Sequence, residues 1–129
     1  MILDRAAILA ANDVKTETVT IPEWGGDVLV KVMTGRERDS WEASIVESKG
    51  KVVEVNRDNA RAKLVARCLV DESGARLFTD SEALLLGNKS ASALDRAYEV
   101  AVKLNRIGAK DLDELTKNSD SAPSADSGS

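Results

Sequence analysis

The sequence has no histidine. That removes the commonest general base and metal ligand at neutral pH. It has one cysteine, Cys68, so no intrachain disulfide and no cysteine zinc site can form. Cys68 lies in the apolar run LVARCLV, the setting of a small core residue. Aromatics are scarce: Trp24, Trp41, Phe78 and Tyr98. A core must therefore come mainly from Val, Leu, Ile and Ala, which suits helices packed on a small sheet. No apolar run approaches the roughly 18 residues that span a bilayer. The opening MILDRAAILAAN lacks the charged-then-apolar order of a signal peptide. The expectation is a soluble intracellular protein in a reducing compartment.

Catalytic motifs are missing too. There is no GxxxxGK[ST] and no GxGxxG, so a phosphate loop is unsupported. The serines have no histidine to activate them. The acid pairs Asp80/Glu82 and Asp111/Glu114 fall in first helical turns, where free N–H groups and the helix dipole account for them. The expectation is a protein that is not an enzyme and has no metal or cofactor. The net charge is −4 with both signs mixed along the chain, which argues against nucleic acid as the main partner. The best basic cluster, Arg57, Arg61, Lys63 and Arg67, splits on a helix. Arg57 and Arg61 fall on one side, Lys63 and Arg67 on another, with no aromatic between them, as on a solvated surface.

What is present is concentrated in residues 21–42, IPEWGGDVLVKVMTGRERDSWE. Both tryptophans and one of the two prolines lie there. Residues 15–21 alternate, with Lys15, Glu17, Val19 and Ile21 on one side and three threonines on the other, a strand pattern. Residues 28–33 alternate likewise. Pro22 ends the first strand, and Gly25-Gly26 permit a reversal. An antiparallel hairpin over about 15–33 is the simplest joining. Thr34 and Glu37 then match a capping box opening a helix over 35–48. Trp41 is expected to lay that helix onto the hairpin. Pro22, Gly25, Gly26, Thr34, Glu37 and Trp41 are thus the structural residues of the stretch. Trp24 stands beside Gly-Gly at the predicted tip. Either it is an exposed anchor for a protein partner, with Glu23 and Asp27 beside it, or the loop folds back and buries the indole.

The remainder reads as mainly helical. Residues 2–11 form a short helix with Ile2, Ala6 and Leu9 on one face. Lys51–Val55 is a strand or a loop. A helix covers 56–68. In LVDESGARLF, residues 69–78, either a tight hairpin or a hooked helix end fits. A short helix, 80–86, opens with Thr79 and Glu82 and stops at Gly87-Asn88. The helix at 90–107 carries an apolar arc of roughly 200°, where one packing face needs about 100°. Either it is central to its own core, or part of the arc, Leu94, Tyr98, Ala101 and Val102, meets another chain. Residues 111–117 add an amphipathic turn or two. Residues 118–129 carry no large apolar side chain and read as a disordered polar tail. The fold class is α+β: one domain over 1–117, with an N-terminal β-hairpin packed against a mainly helical C-terminal portion.

Three stretches, IPEWGGDVLVKVMTGRERDSWE, LVARCLVDESGARLF and SASALDRAYEVAVKLNRI, resemble the tail assembly chaperones of long-tailed, siphovirus-type bacteriophages. The resemblance covers about residues 12–107. It implies a protein made in the host cytoplasm during infection and not retained in the mature virion. Its implied partners are the tape measure protein, which it keeps soluble, and the tail tube protein, which polymerises around that client. Multiple copies per client, or a homo-oligomer, fit that role. It further implies a longer form made by translational frameshifting, with Thr116-Lys117-Asn118 as the candidate slippery site. The competing readings are a small structural tail or head–tail completion protein and, behind it, a DNA-binding regulator using Arg57 to Arg67.

Overall fold

Threonine alternating with Glu17, Val19 and Ile21 builds a strand with one wet and one dry face. The computed structural model, which describes residues 1–120, realises it as β1 (Thr16–Ile21). Val19 and Ile21 are buried, while Thr18 and Thr20 face outward. β1 pairs antiparallel with β2 (Gly26–Lys31), from Thr16↔Lys31 to Ile21↔Gly26. A single 3-10 turn, Pro22–Trp24, makes the reversal, closed by Gly25 at φ 79°. Gly26 is not part of the turn, because it already pairs with Ile21.

Helix α1 (Arg5–Ala10) precedes β1, begun by Asp4 Oδ1 accepting the Ala7 N–H at 2.9 Å. It is shorter than the 2–11 expected and buries no residue. After β2 the capping box is complete. Glu37 N–H donates to Thr34 Oγ1 and Thr34 N–H donates to Glu37 Oε1. It opens α2 (Gly35–Ile45). Helix to residue 48 is not realised. Val46–Lys49 forms β3, paired with β4 (Val52–Val55) around Gly50 at φ 67°. The β-branched Val46, Val52, Val53 and Val55 favour this hairpin over another helical turn. The expected helix over 56–68 starts late, as α3 (Ala60–Cys68). Asn56 Oδ1 instead accepts the Asp58 N–H in an Asx turn, and Asn59 takes φ 56°.

Residues 69–78 resolve as a hairpin-like turn. β5 (Leu69–Val70) joins β2 antiparallel and completes the sheet order β1-β2-β5. Val70 bridges Arg76, and Asp71 Oδ1 accepts from Ser73 N–H, Ser73 Oγ–H and Ala75 N–H. A 3-10 turn, Asp80–Glu82, runs into α4 (Ala83–Gly87). The helix expected over 90–107 is realised as α5 (Ala91–Leu104), capped by Ser90. It stops short of 107 because Asn105 leaves the helical conformation and Arg106 takes φ 52°. α6 (Ala109–Asp120) then packs against β4. The helical backbone thus runs through 118–120. The rest of the expected tail, 121–129, lies outside the described residues.

The architecture is α+β, with α5 and α3 laid on the three-stranded sheet and α4 and α2 against α3. The helix most enclosed is α3, not α5. Ala62, Leu64, Val65, Ala66, Arg67 and Cys68 are all buried. α5 buries Ala93, Ala97 and Ala101 at spacings of four, together with Leu94. Small side chains in that row let its backbone approach the sheet and α3 closely. Trp41 is buried in the same cluster as Ile21, Val30 and Met33 of the hairpin. Its helix, however, lies mainly against α3 rather than on the hairpin as expected.

Candidate functional site

The hairpin tip was the first candidate. Its 3-10 turn turns Trp24 inward, and the indole is half-buried against the core cluster. Glu23 is exposed, and its Oε1 accepts the Arg96 Nε–H of α5 at 2.8 Å. That bond lowers the Glu23 pKa. Asp27 is exposed and sits opposite Thr20. Glu23 and Trp24 lie in the turn and Asp27 in β2, with Glu23 and Asp27 exposed and Trp24 half-buried.

The second candidate was the wide arc of α5. Ala101 has no exposure and Leu94 is buried, so half of that arc is filled by the protein's own core. Tyr98 and Val102 are half-buried and keep outward-facing surface. Leu94 and Tyr98 do meet, on the wall of a cleft that also takes in Arg57, Arg61 and Lys89. The split of the basic cluster is realised. Lys63 and Arg67 line a different, smaller hollow with Ser44 and Asp80.

The apolar surface that the pattern missed is at the beginning of the chain. Met1, Ile2, Leu3, Ile8 and Leu9 are all exposed, Ile2 at 97% and Leu9 at 67%. Leu84 and Leu85 on α4 are exposed at 69% and 58%. An amphipathic helix normally buries its apolar face, and α1 buries nothing. The signal in the sequence was the Ile2, Ala6, Leu9 stripe, which fixes a helix but not what covers it.

Two ion clusters brace the body. Lys31 Nζ donates to both carboxylate oxygens of Glu37, at 2.5 and 2.7 Å. Burial would raise the Glu37 pKa, yet the Lys31 and Thr34 hydrogen bonds outweigh it and lower it. Arg67, buried, and Arg76 both donate to Asp80 Oδ1, at 2.9 and 2.7 Å. The Arg67 bond leads in holding the Asp80 carboxyl down at about 2. Each cluster joins elements of the fold, and neither lines a catalytic cavity. Cys68 is fully buried and burial pushes its thiol up to about 12, which leaves no thiolate for nucleophilic chemistry at neutral pH. Among the described residues no group of three or more Cys, Asp or Glu is placed to hold a metal ion. No helix there is long and apolar enough to cross a membrane.

The model of a phage tail assembly chaperone family matches residues 3–118. The chain belongs to that family. The fold is also similar to that of the tail assembly chaperone of bacteriophage HK97, with a TM-score of 0.53 and 20% sequence identity. The match covers 70% of this chain and 85% of that one. No curated protein sequence matches it. Membership implies a role in assembly, with protein partners from the phage tail.

Proposed function

We propose that this tail assembly chaperone binds the tape measure protein without catalysis, keeps it soluble, and promotes polymerisation of tail tube subunits around it. The observation that carries this reading is the leading arm, five exposed apolar side chains on a segment whose helix buries none of them. A client with apolar helical stripes needs a weakly selective apolar surface, and several copies summed along its length give a dense yet removable coat. Leu84 and Leu85 are further exposed apolar side chains, and Trp24, Tyr98 and Val102 keep outward surface. The chaperone acts in the host cytoplasm and leaves before the virion matures. A longer form arises by frameshifting near Thr116-Lys117-Asn118, a site that the coding DNA tests directly.

The experiment is co-expression of the tape measure protein with the chain and with variants Ile8→Asp/Leu9→Asp, Trp24→Ala and Tyr98→Asp. The unaltered chain should keep the client soluble, and folded variants should not. If all three fold and still rescue it, these surfaces are wrong. Mass spectrometry of purified particles tests the departure, and abundant chain in virions would contradict it.

A further inference from the structure

A cleft of about 430 Å³ lies where the start of α3, the end of α4 and the first half of α5 converge. Arg57 and Arg61 border it from α3 and the turn before it, Lys89 from the turn after α4. Three cations share one cleft on a chain whose net charge is −4. Arg61 is held by Asp95 at 2.9 Å. Arg57 and Lys89 have no carboxylate within ion-pair distance among the described residues. The first turn of α3 carries no acid, and Asn59 places no side-chain cap on it. The lining itself thus holds three cations and no carboxylate, against the sign of the whole molecule.

The lining is not uniformly polar. Ala62 and Leu94 are buried beneath it, and the half-buried Tyr98 and Ala60 with the exposed Ala91 give an apolar floor. An occupant that satisfies both features carries carboxylates along one edge and apolar side chains beneath them. A phosphate backbone offers nothing to such a floor. We propose that this cleft is the docking site for an acidic amphipathic helix of a partner protein. The occupant lies with its apolar face on Tyr98, Ala60 and Ala91 and its carboxylates against Arg57 and Lys89. The proposal goes beyond the apolar client surface described above, from which it differs in chemistry, and it does not require the tape measure protein to be the partner.

The test uses the full chain and three probes. These are a fluorescein-labelled helical peptide with a Glu edge and a Leu face, the same peptide with Lys for Glu, and a labelled DNA duplex, each followed by anisotropy at two salt concentrations. The Glu peptide should bind, weaken with salt, and outcompete both other probes. Arg57→Glu/Lys89→Glu, both exposed positions, should weaken it at least tenfold with an unchanged circular dichroism spectrum. Asp95→Asn, which frees Arg61, should tighten it several-fold. Amide resonances that shift on binding should cluster at Arg57, Asn59, Lys89 and Tyr98. Equal binding of the Lys peptide, preference for DNA, indifference to the double charge reversal, weakening by Asp95→Asn, or shifts clustered elsewhere would each overturn the proposal.

Discussion

Asn105 Oδ1 accepts the backbone N–H of Met33 at 2.7 Å, joining the end of α5 to the end of β2 across 72 positions of sequence. The same side chain donates through Nδ2 to the Ala101 carbonyl at 2.9 Å and reaches the Lys31 carbonyl at 3.4 Å. The backbone carbonyl of Asn105 accepts from Arg38 Nη1 of α2 at 2.8 Å. One residue thus joins the sheet and α5 through its buried amide and α2 through its backbone.

Replacing Asn105 by Leu keeps the volume but leaves the Met33 N–H and the Lys31 carbonyl buried without this partner. An unsatisfied buried group costs about 1–3 kcal/mol, so Asn105→Leu should destabilise the fold by about 3 kcal/mol in all. Urea unfolding followed by Trp41 fluorescence measures it. A loss within ~0.5 kcal/mol, the range of an ordinary surface change, would show that the amide is not a structural junction.

Asp80 gives the fold an acid dependence whose sign is fixed. Its carboxyl is held at about 2, below the ordinary value of 3.8. The stabilisation is therefore fully present above the unfolded value and is lost as pH falls from about 4 through about 2. Asp80→Asn leaves the buried Arg67 guanidinium without its carboxylate. Half of the Asp80 side chain is exposed (51%), so the cost is about 2 kcal/mol at pH 7, below that of a fully buried pair. Melting curves of the two proteins should differ at pH 7 and converge below pH 2. A gap independent of pH would assign the effect to packing instead.

The leading arm should be dispensable for stability. α1 buries no residue, and the first attachment to the sheet is the Lys15 carbonyl, which accepts the Val32 N–H at 2.8 Å. Removing residues 1–12 stops short of that bond. The expected change in unfolding free energy is below ~0.5 kcal/mol, while the ability to keep a tape measure protein soluble falls sharply. A large drop in stability would place the arm in the fold, and unchanged client rescue would remove it from the binding surface.

What the sequence made legible was local. Thr34 and Glu37 lie three apart and cap each other, and the period-two pattern of residues 15–21 specifies which face of β1 is dry. What escaped it depends on distant partners. The 38, 41, 45 periodicity of α2 gives no warning that Val46 leaves for a strand, because that strand exists only against β4. Arg67 reads as a solvent residue until Asp80, thirteen positions on, neutralises it inside the body. At the candidate sites, the division of the basic cluster was legible. Whether Leu94, Tyr98, Ala101 and Val102 face the core or a partner was not, because an apolar arc does not say which neighbour fills it; Leu94 and Ala101 are buried. The exposed arm escaped for the same reason.

Glu23 and Arg96, 73 positions apart, decide how far the hairpin tip opens. The 2.8 Å bond fastens the turn carrying Trp24 to α5. Both side chains reach solvent, so salt screens the pair and its loss should move the melting temperature little. The tip itself should respond. Arg96→Ala should increase quenching of Trp24 by acrylamide, while Trp41, buried in the core, stays protected. Trp41→Phe isolates the Trp24 signal and Trp24→Phe isolates the control. High salt should reproduce the Arg96→Ala effect in the unaltered chain, since it weakens the same bond. If Trp24 quenching is unchanged by both, packing of the indole against the core holds the tip without help from the ion pair, and Trp24 is not a surface that such a switch can expose.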